Sequence, residues 1–447
     1  MATLLNRPTL SRLTWLPLRP EDFTTLLQTA DFRLRLLEAI AAATRRVYLC
    51  ALYLENEEAG QEILNALYQA KQRCPQLDVR VMVDWHRAQR GRIGEDQSHC
   101  NASWYREEAL RRDLDIPIYG VPVQTRELFG VLHLKGFVID DTVFYSGASL
   151  NNVYLHKLDK YRFDRYHLLH SPELADAMAG FMNEQFFNDP AVFRLDKPTP
   201  STRSIRKEIR QFRDKLAHSQ YRPSMDRIAA PNDLAVSPVV GIGKGNRLNR
   251  AILDVIASAQ RRLFICTPYF NFPRAVVLEI NRALRRGVEI DIVVGDKTAN
   301  DFYIPPEQPF RVIGALPYLY EMNLRRFAKR QRQYLSREQL RIHLWKDGDN
   351  TYHLKGIWSD DRYILLTGNN LNPRAFRLDL ENALLLRDPQ GALRGQSDAE
   401  QQSILHHASP LSHYRQLEDV RVYPEQIKKL LTRLSRVRID RMLNLML

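Results

Sequence analysis

No run of about 18 apolar residues, the length of a bilayer-spanning helix, occurs in the chain, so any membrane contact is expected to be peripheral. Residues 1–22 are broken by Arg7, Arg12, Arg19 and three prolines and lack the apolar core of a signal peptide. Cysteine is scarce. Cys50, Cys74, Cys100 and Cys266 show no C-x2-C pairing, and two lie in apolar, strand-like runs, which implies reduced thiols in a cytosolic protein. His99 beside Cys100 and the pair His406-His407 lack zinc-type spacing and read as surface residues. Acidic residues are outnumbered, 52 Asp and Glu against 65 Lys and Arg, for a formal net charge of +13. That balance favours anionic partners: a phospholipid surface, phosphorylated substrates, or nucleic acid, including non-specific contact with RNA or ribosomes.

What the chain does contain is a repeat. His133, Lys135 and Asp140 are spaced as H-x-K-x4-D, and His353, Lys355 and Asp360 repeat the spacing 220 positions later. A Gly-x-Ser/Asn-Leu-Asn turn follows each copy, Gly147 to Asn151 and Gly368 to Asn372. Upstream, residues 46–53 and 262–269 correspond, with Cys50 placed 83 positions before His133 and Cys266 placed 87 before His353. A single copy arises by chance in about a few per cent of chains of this length, whereas two copies in matched contexts are a strong signal.

At 447 residues the chain fits two average domains or one duplicated unit. In each half a helical pattern (58–71, 273–286) precedes a strand (77–83, 288–294), and each H-x-K segment leads into a hairpin. The predicted fold is α/β: two halves, 31–196 and 236–390, related by pseudo-two-fold symmetry. Residues 1–30 read as an N-terminal extension, 197–235 as a basic linker with a helix carrying Ile205, Ile209, Phe212 and Leu216 on one face, and 391–447 as a C-terminal extension. Its basic amphipathic helix, 427–447, suits a membrane surface, and Tyr318, Tyr320, Phe327 and Tyr334 among basic residues suit either an interfacial element or a solvated helix.

Displacing an alcohol from a phosphodiester requires a nucleophile, a proton for the leaving group, and cancellation of charge on the phosphoryl oxygens. One neutral imidazole can attack phosphorus while a second, protonated one serves the leaving group, so one His from each half suffices. Lys135 and Lys355 are point charges for the oxygens, and Asn151 and Asn372 are amide donors. Asp164 and Glu381, at the starts of equivalent strand-like runs, are candidate carboxylates to orient the imidazoles. Asp140 and Asp360 complete the candidate catalytic set, although alternation from His puts them on the opposite face, where they brace the loop. His86, Arg87, Arg90 and Arg92, just past a strand end, and Lys297 and Asn300, past the equivalent strand, read either as substrate contacts or as solvated loops.

The duplicated motif resembles that of the phospholipase D superfamily, which implies two α/β sandwich halves whose motifs meet in one composite, metal-independent site with no cofactor. The turns carry one residue more than that superfamily's Gly-Ser-x-Asn. Four longer stretches, 83–94, 146–151, 295–305 and 367–376, are similar to the proteobacterial, phospholipase-D-type phosphatidylserine synthases. This resemblance implies transfer of a phosphatidyl group from CDP-diacylglycerol to L-serine through a phosphatidyl-histidine, on the cytoplasmic side of the cell membrane. Chain order in the superfamily favours His133 as nucleophile and His353 as acid and base, and the reverse assignment stays open. A cardiolipin synthase or a hydrolytic phospholipase D would share every catalytic group. A nucleic-acid phosphodiesterase suits the same histidines and charge, and a non-enzymatic scaffold would leave both motifs idle.

Overall fold

The computed structural model describes residues 9–90, 100–305 and 307–436. His99, Arg92 and the end of the C-terminal segment beyond Arg436 lie outside the described residues. Each half is built on one sheet, and the two sheets share one strand order. In the first, Ile118–Val121, Asp78–Asp84 and Arg46–Cys50 run parallel, followed by antiparallel Phe137–Ile139, Thr142–Ser146, Tyr166–His170 and Phe23–Leu26. In the second, Leu340–Trp345, Glu289–Gly295 and Arg262–Thr267 run parallel, followed by antiparallel Gly356–Ser359, Tyr363–Thr367, Glu381–Arg387 and Ala235–Gly241. The duplication read from two short motifs therefore extends over seven strands in each half.

The strands alternate between two apolar environments. In Arg262–Thr267, Leu263 and Ile265 face the helices Arg247–Ser258 and Arg274–Arg285. Phe264 and Cys266 from the same strand join the apolar cluster that runs continuously into the first half. With both faces covered, such strands must be apolar at nearly every position, which is why Leu-Phe-Ile-Cys shows no polar alternation. All four cysteines are free, and Cys50 and Cys266 are buried in their strands.

Segments outside the two halves lock them together. Leu16–Pro17, ahead of the first half's strand Phe23–Leu26, pairs with Ala235–Val236 at one edge of the second sheet. The linker helix Arg206–His218 buries Ile209, Phe212 and Leu216, as its pattern predicts, and Ile205 just before it is buried too. From the C-terminal region, the helix Arg394–His406 places Glu400 against the first half, where it receives Arg165 Nε at 2.7 Å and Nη2 at 2.9 Å. The Arg165 guanidinium also stacks 3.8 Å above Trp358 and donates to the Leu365 carbonyl at 2.9 Å.

Two amphipathic segments differ from expectation. Helix Leu316–Arg330 buries Tyr318, Tyr320 and Phe327 inside the protein, so these rings are neither interfacial nor solvated. In helix Glu425–Arg436, Ile427 and Leu431 pack on Ala315, Tyr318, Leu319 and Tyr423. Ile427 and Leu431 are therefore covered by the protein itself. No helix among the described residues is long and apolar enough to cross one.

Because Arg165 is buried, removing its carboxylate partner strands a charge in the interior. Glu400→Ala is expected to lower the unfolding free energy by about 3–5 kcal/mol, read from denaturant melts of the purified chain.

Candidate active site

The sequence places His and Lys of each motif on a strand. In the structure they sit in the extended run just before it, where the backbone bonds to the opposite half. His133 N–H donates to the Leu380 carbonyl at 2.9 Å and Leu380 N–H to that of Val131 at 3.0 Å. In the equivalent place, Thr351–Tyr352 pairs in parallel with Arg162–Phe163, and His353 N–H donates to the Phe163 carbonyl at 2.8 Å. Leu380 and Phe163 directly precede Glu381 and Asp164. Pairing across the interface therefore brings each histidine to the acid of the other half.

The side chains follow the backbone. His133 Nδ1 lies 2.9 Å from both carboxylate oxygens of Glu381, and His353 Nδ1 lies 3.0 Å from Asp164 Oδ2. Lys355 Nζ contacts His353 and lies 3.2 Å from Asp164 Oδ2; Lys135 Nζ donates to Ser149 Oγ at 3.3 Å. Asn382 fixes the Lys135 backbone from both sides, its Oδ1 accepting from Lys135 N and its Nδ2 donating to Lys135 O, each at 2.8 Å.

The two pairs differ electrically. Burial, with Lys135 and Lys355 nearby, drives the His133 imidazole well below its ordinary pKa, and burial beside Asp379 raises Glu381 well above its own. The imidazole is thereby held neutral, and in the tautomer whose Nδ1–H points to Glu381 the free lone pair is on Nε2. Burial and Lys355 lower His353 to about 3, but its partner Asp164 stays ionised: burial works to raise that carboxyl, and Lys355 and His353 hold it below the usual range. Burial lowers both lysines to about 8. For Lys135 the neighbouring Lys355 adds to the effect, whereas Asp164 limits it for Lys355.

Both histidines open into one cavity of about 800 Å³. Its polar floor includes His133, Lys135, Ser149, His353, Asn370 and Asn372; Leu52, Leu128, Val131, Ile313 and Leu316 supply apolar wall. Each turn glycine sits under a charged side chain. A Cβ on Gly147 would lie 2.6 Å from Asp164 Oδ2, and one on Gly368 2.6 Å from Lys135 Cγ.

Other expected residues fall in different places. Asp140 and Asp360, counted with the catalytic set, lie at the hairpin turns with φ of 48° and 51° and accept backbone N–H groups from residues 44–46 and 260–262. They brace the loops and do not line the cavity. Asn151 and Asn372 cap short helices through Oδ1, and Asn372 also lines the cavity. Arg87 and Arg90 line it as well, next to Glu127, which Arg90 binds at 2.6 and 2.9 Å. His86 turns away to the Gln124 carbonyl at 2.7 Å. Lys297 lies outside this cavity, held by Glu321 at 3.2 Å and Glu418 at 2.6 Å, and Asn300 accepts from Phe302 N–H. Lys297 is thus paired with acids of its own chain and Asn300 with a local turn.

Sequence reasoning passed over two Arg–Asp pairs in the cavity wall, Arg162 with Asp301 and Arg374 with Asp379. A signal was present: Arg162 and Asp379 each stand two residues before an orienting acid, the spacing that shares a face in extended chain. Gly147→Ala, which forces a methyl into the Asp164 carboxylate, is expected to cost about 1–3 kcal/mol of stability by thermal or denaturant unfolding.

The family described as cardiolipin synthase, PLD-like domain, matches residues 36–159 and 252–402. The CDP-diacylglycerol–serine O-phosphatidyltransferase of Escherichia coli is 52% identical over 427 residues, covering 95% of this chain and 94% of that protein. The enzyme of the same name from Haemophilus influenzae is 51% identical over 443 residues, covering 98% and 97%. The crystal structure of phosphatidylserine synthase from Haemophilus influenzae superimposes with a TM-score of 0.94 at 49% identity, covering 98% of each chain. With two matched half-domains and near-complete alignment to these enzymes, the chain belongs to the phospholipase-D-like family, on its bacterial phosphatidylserine synthase branch.

Proposed function

We propose that the chain is a CDP-diacylglycerol–serine O-phosphatidyltransferase of phospholipid biosynthesis, acting through a phosphatidyl-histidine. The observation that carries the mechanism is the pair of crossed His–carboxylate contacts opening into one cavity, with Lys135 in its lining and Lys355 buried beside His353 and Asp164. The difference between the pairs supports the division of labour. His133, held neutral by burial and with Nδ1 against Glu381, has Nε2 available for attack on phosphorus. His353, facing an ionised Asp164, is the imidazole better able to carry a proton once a bound diphosphate offsets the charge of the lysines.

In the first displacement, a bond forms between His133 Nε2 and the phosphorus bearing diacylglycerol as its bond to the CMP oxygen breaks. That oxygen takes a proton from His353. In the second, the serine hydroxyl oxygen bonds to phosphorus, the P–N bond breaks, and the hydroxyl proton goes to His353. Two inversions retain configuration at phosphorus. Lys135 and Lys355 hold the non-bridging oxygens throughout.

The lipid substrate fits the cavity's surroundings. Leu128, Phe129, Phe310 and Val312 are exposed, Leu128 lines the cavity, and Val312 directly precedes the lining residue Ile313. Such a rim, on a chain of net charge +13, suits peripheral work at an anionic phospholipid surface on the cytoplasmic side of the membrane.

Labelled CDP-diacylglycerol in mixed micelles tests the reading. Serine-dependent phosphatidylserine and CMP are expected, reduced by about a thousand-fold or more in His133→Ala and in His353→Ala. Phosphatidic acid or cardiolipin as the only product would overturn the acceptor assignment.

A pH profile tests the lysines. Their folded pKa of about 8 keeps them charged below that pH and neutral above it, so kcat/KM for CDP-diacylglycerol should decline as pH rises through about 8. The decline should be shallower in Lys135→Arg, whose guanidinium does not titrate there.

A further inference from the structure

We infer that Arg162 and Asp301 form the subsite for the amino-acid acceptor, Arg162 receiving its carboxylate and Asp301 its ammonium group. The inference rests on the reading above, with His353 as the acid and base.

Stereochemistry fixes the region. In a double displacement the acceptor approaches phosphorus from the side the first leaving group vacated, opposite the nucleophile. With His133 as nucleophile, the acceptor hydroxyl must lie against His353, and the groups that recognise the rest of the acceptor must belong to the same wall. Arg162 and Asp301 belong to it. The Arg162 guanidinium lies 4.7 Å from the Tyr154 ring centroid, and the Tyr154 hydroxyl is 2.9 Å from His353 Nδ1. Tyr269 donates to Asp301 Oδ1, and its ring centroid is 6.1 Å from that of His353.

Charge and spacing fit a zwitterion. Arg162 Nη1 and Asp301 Oδ2 stand 3.6 Å apart, beyond hydrogen-bond length, although both side chains line the cavity and are only 15% and 17% exposed. Arg162 Nε is used by Thr351 Oγ1 at 3.1 Å, which points the guanidinium fork without neutralising it. Burial opposes the charge on Asp301, but Arg162 and His353 hold its carboxyl below the usual range, so the pair is ionised. An α-amino acid presents an anion and a cation on adjacent atoms, and a paired cation and anion at such spacing can each receive the opposite group.

The second Arg–Asp pair supplies the contrast. Arg374 is committed to the fold: Nε to Asp379 at 3.0 Å, Nη1 to the Leu128 carbonyl at 3.1 Å and Nη2 to that of Glu127 at 2.9 Å. Asp379 accepts from Val131 N–H at 3.0 Å. That pair shapes the wall on the His133 side, whereas Arg162 and Asp301 hold charge toward the cavity beside His353.

The test measures acceptor preference within each sample, so that a general loss of activity cancels. The full chain in mixed micelles with labelled CDP-diacylglycerol is offered L-serine, ethanolamine, which lacks the carboxylate, or 3-hydroxypropanoate, which lacks the ammonium. Asp301→Asn is expected to lower kcat/KM for serine relative to 3-hydroxypropanoate by about ten-fold or more. Arg162→Gln should lower it relative to ethanolamine by a similar factor. An equal fall for all three acceptors in both variants would overturn the assignment, as would a shift of preference produced by Arg374→Gln instead. If Arg162→Gln does not fold, the near-isosteric Asp301→Asn decides alone. Wild-type protein that transfers nothing to serine would overturn the functional reading itself, before any variant is compared.

Discussion

The active site depends on a backbone exchange between the halves. Each His–Lys segment leaves its own sheet for a few residues and pairs with the chain that carries the other half's acid. Backbone N–H and C=O groups buried at an interface must find partners, and here they find them across it. That requirement sets the register between the halves, and the register sets which carboxylate meets which imidazole. Without the contact each half would hold a histidine lacking its orienting acid, and an acid with nothing to orient. Duplication supplies the parts, and the crossed pairing makes one site of them.

The remaining architecture protects that register. Arg165, one residue after Asp164, reaches across to Glu400, Trp358 and the Leu365 carbonyl. Asn382, one residue after Glu381, reaches back to both backbone atoms of Lys135 and to the Tyr221 hydroxyl from the linker. Each orienting acid is thus followed by a side chain that crosses the interface, an ion pair on one side and an amide on the other. The N-terminal strands and the helix Arg394–His406 extend the same fastening to the sheet edges. Regions outside the repeat are therefore part of the site's support.

Symmetry of the fold does not extend to the charges. Arg162 and Asp379 occupy equivalent positions two residues before the two acids, yet one is a cation and the other an anion. Burial works to raise both acids, but Lys355, within hydrogen-bond reach of Asp164, holds that carboxyl below its usual range, while Asp379 adds like charge to the burial that raises Glu381. One repeated scaffold thus presents two electrically different His–acid pairs, and the proposed division of labour between attack on phosphorus and proton transfer rests on that difference.

How much of this was legible in the sequence follows from the range of each interaction. The motif spacing, the apolar strand runs, the linker helix and the bracing role of Asp140 and Asp360 depend on near neighbours and on period, which one chain displays directly. Asp164 and Glu381 could be named as acids because equivalent positions in the repeat pointed to them. Their partners could not, since a carboxylate 31 or 28 residues along the chain from one histidine pairs instead with the other, 189 or 248 residues away in sequence. The same limit hid the burial of Tyr318, Tyr320 and Phe327: an amphipathic pattern shows that a face needs covering, not whether protein or lipid covers it. For Lys297, which reads from sequence as either a substrate contact or part of a solvated loop, spacing does not reveal that Glu321 and Glu418 are brought to it. The sequence by itself determined the duplicated α/β unit, the chemical groups and the class of reaction, because these rest on residue type and local spacing. Only the tertiary structure decided the crossed pairing, the protonation bias of each histidine and the Arg–Asp wall beside His353, because those arise where two halves meet and water is excluded.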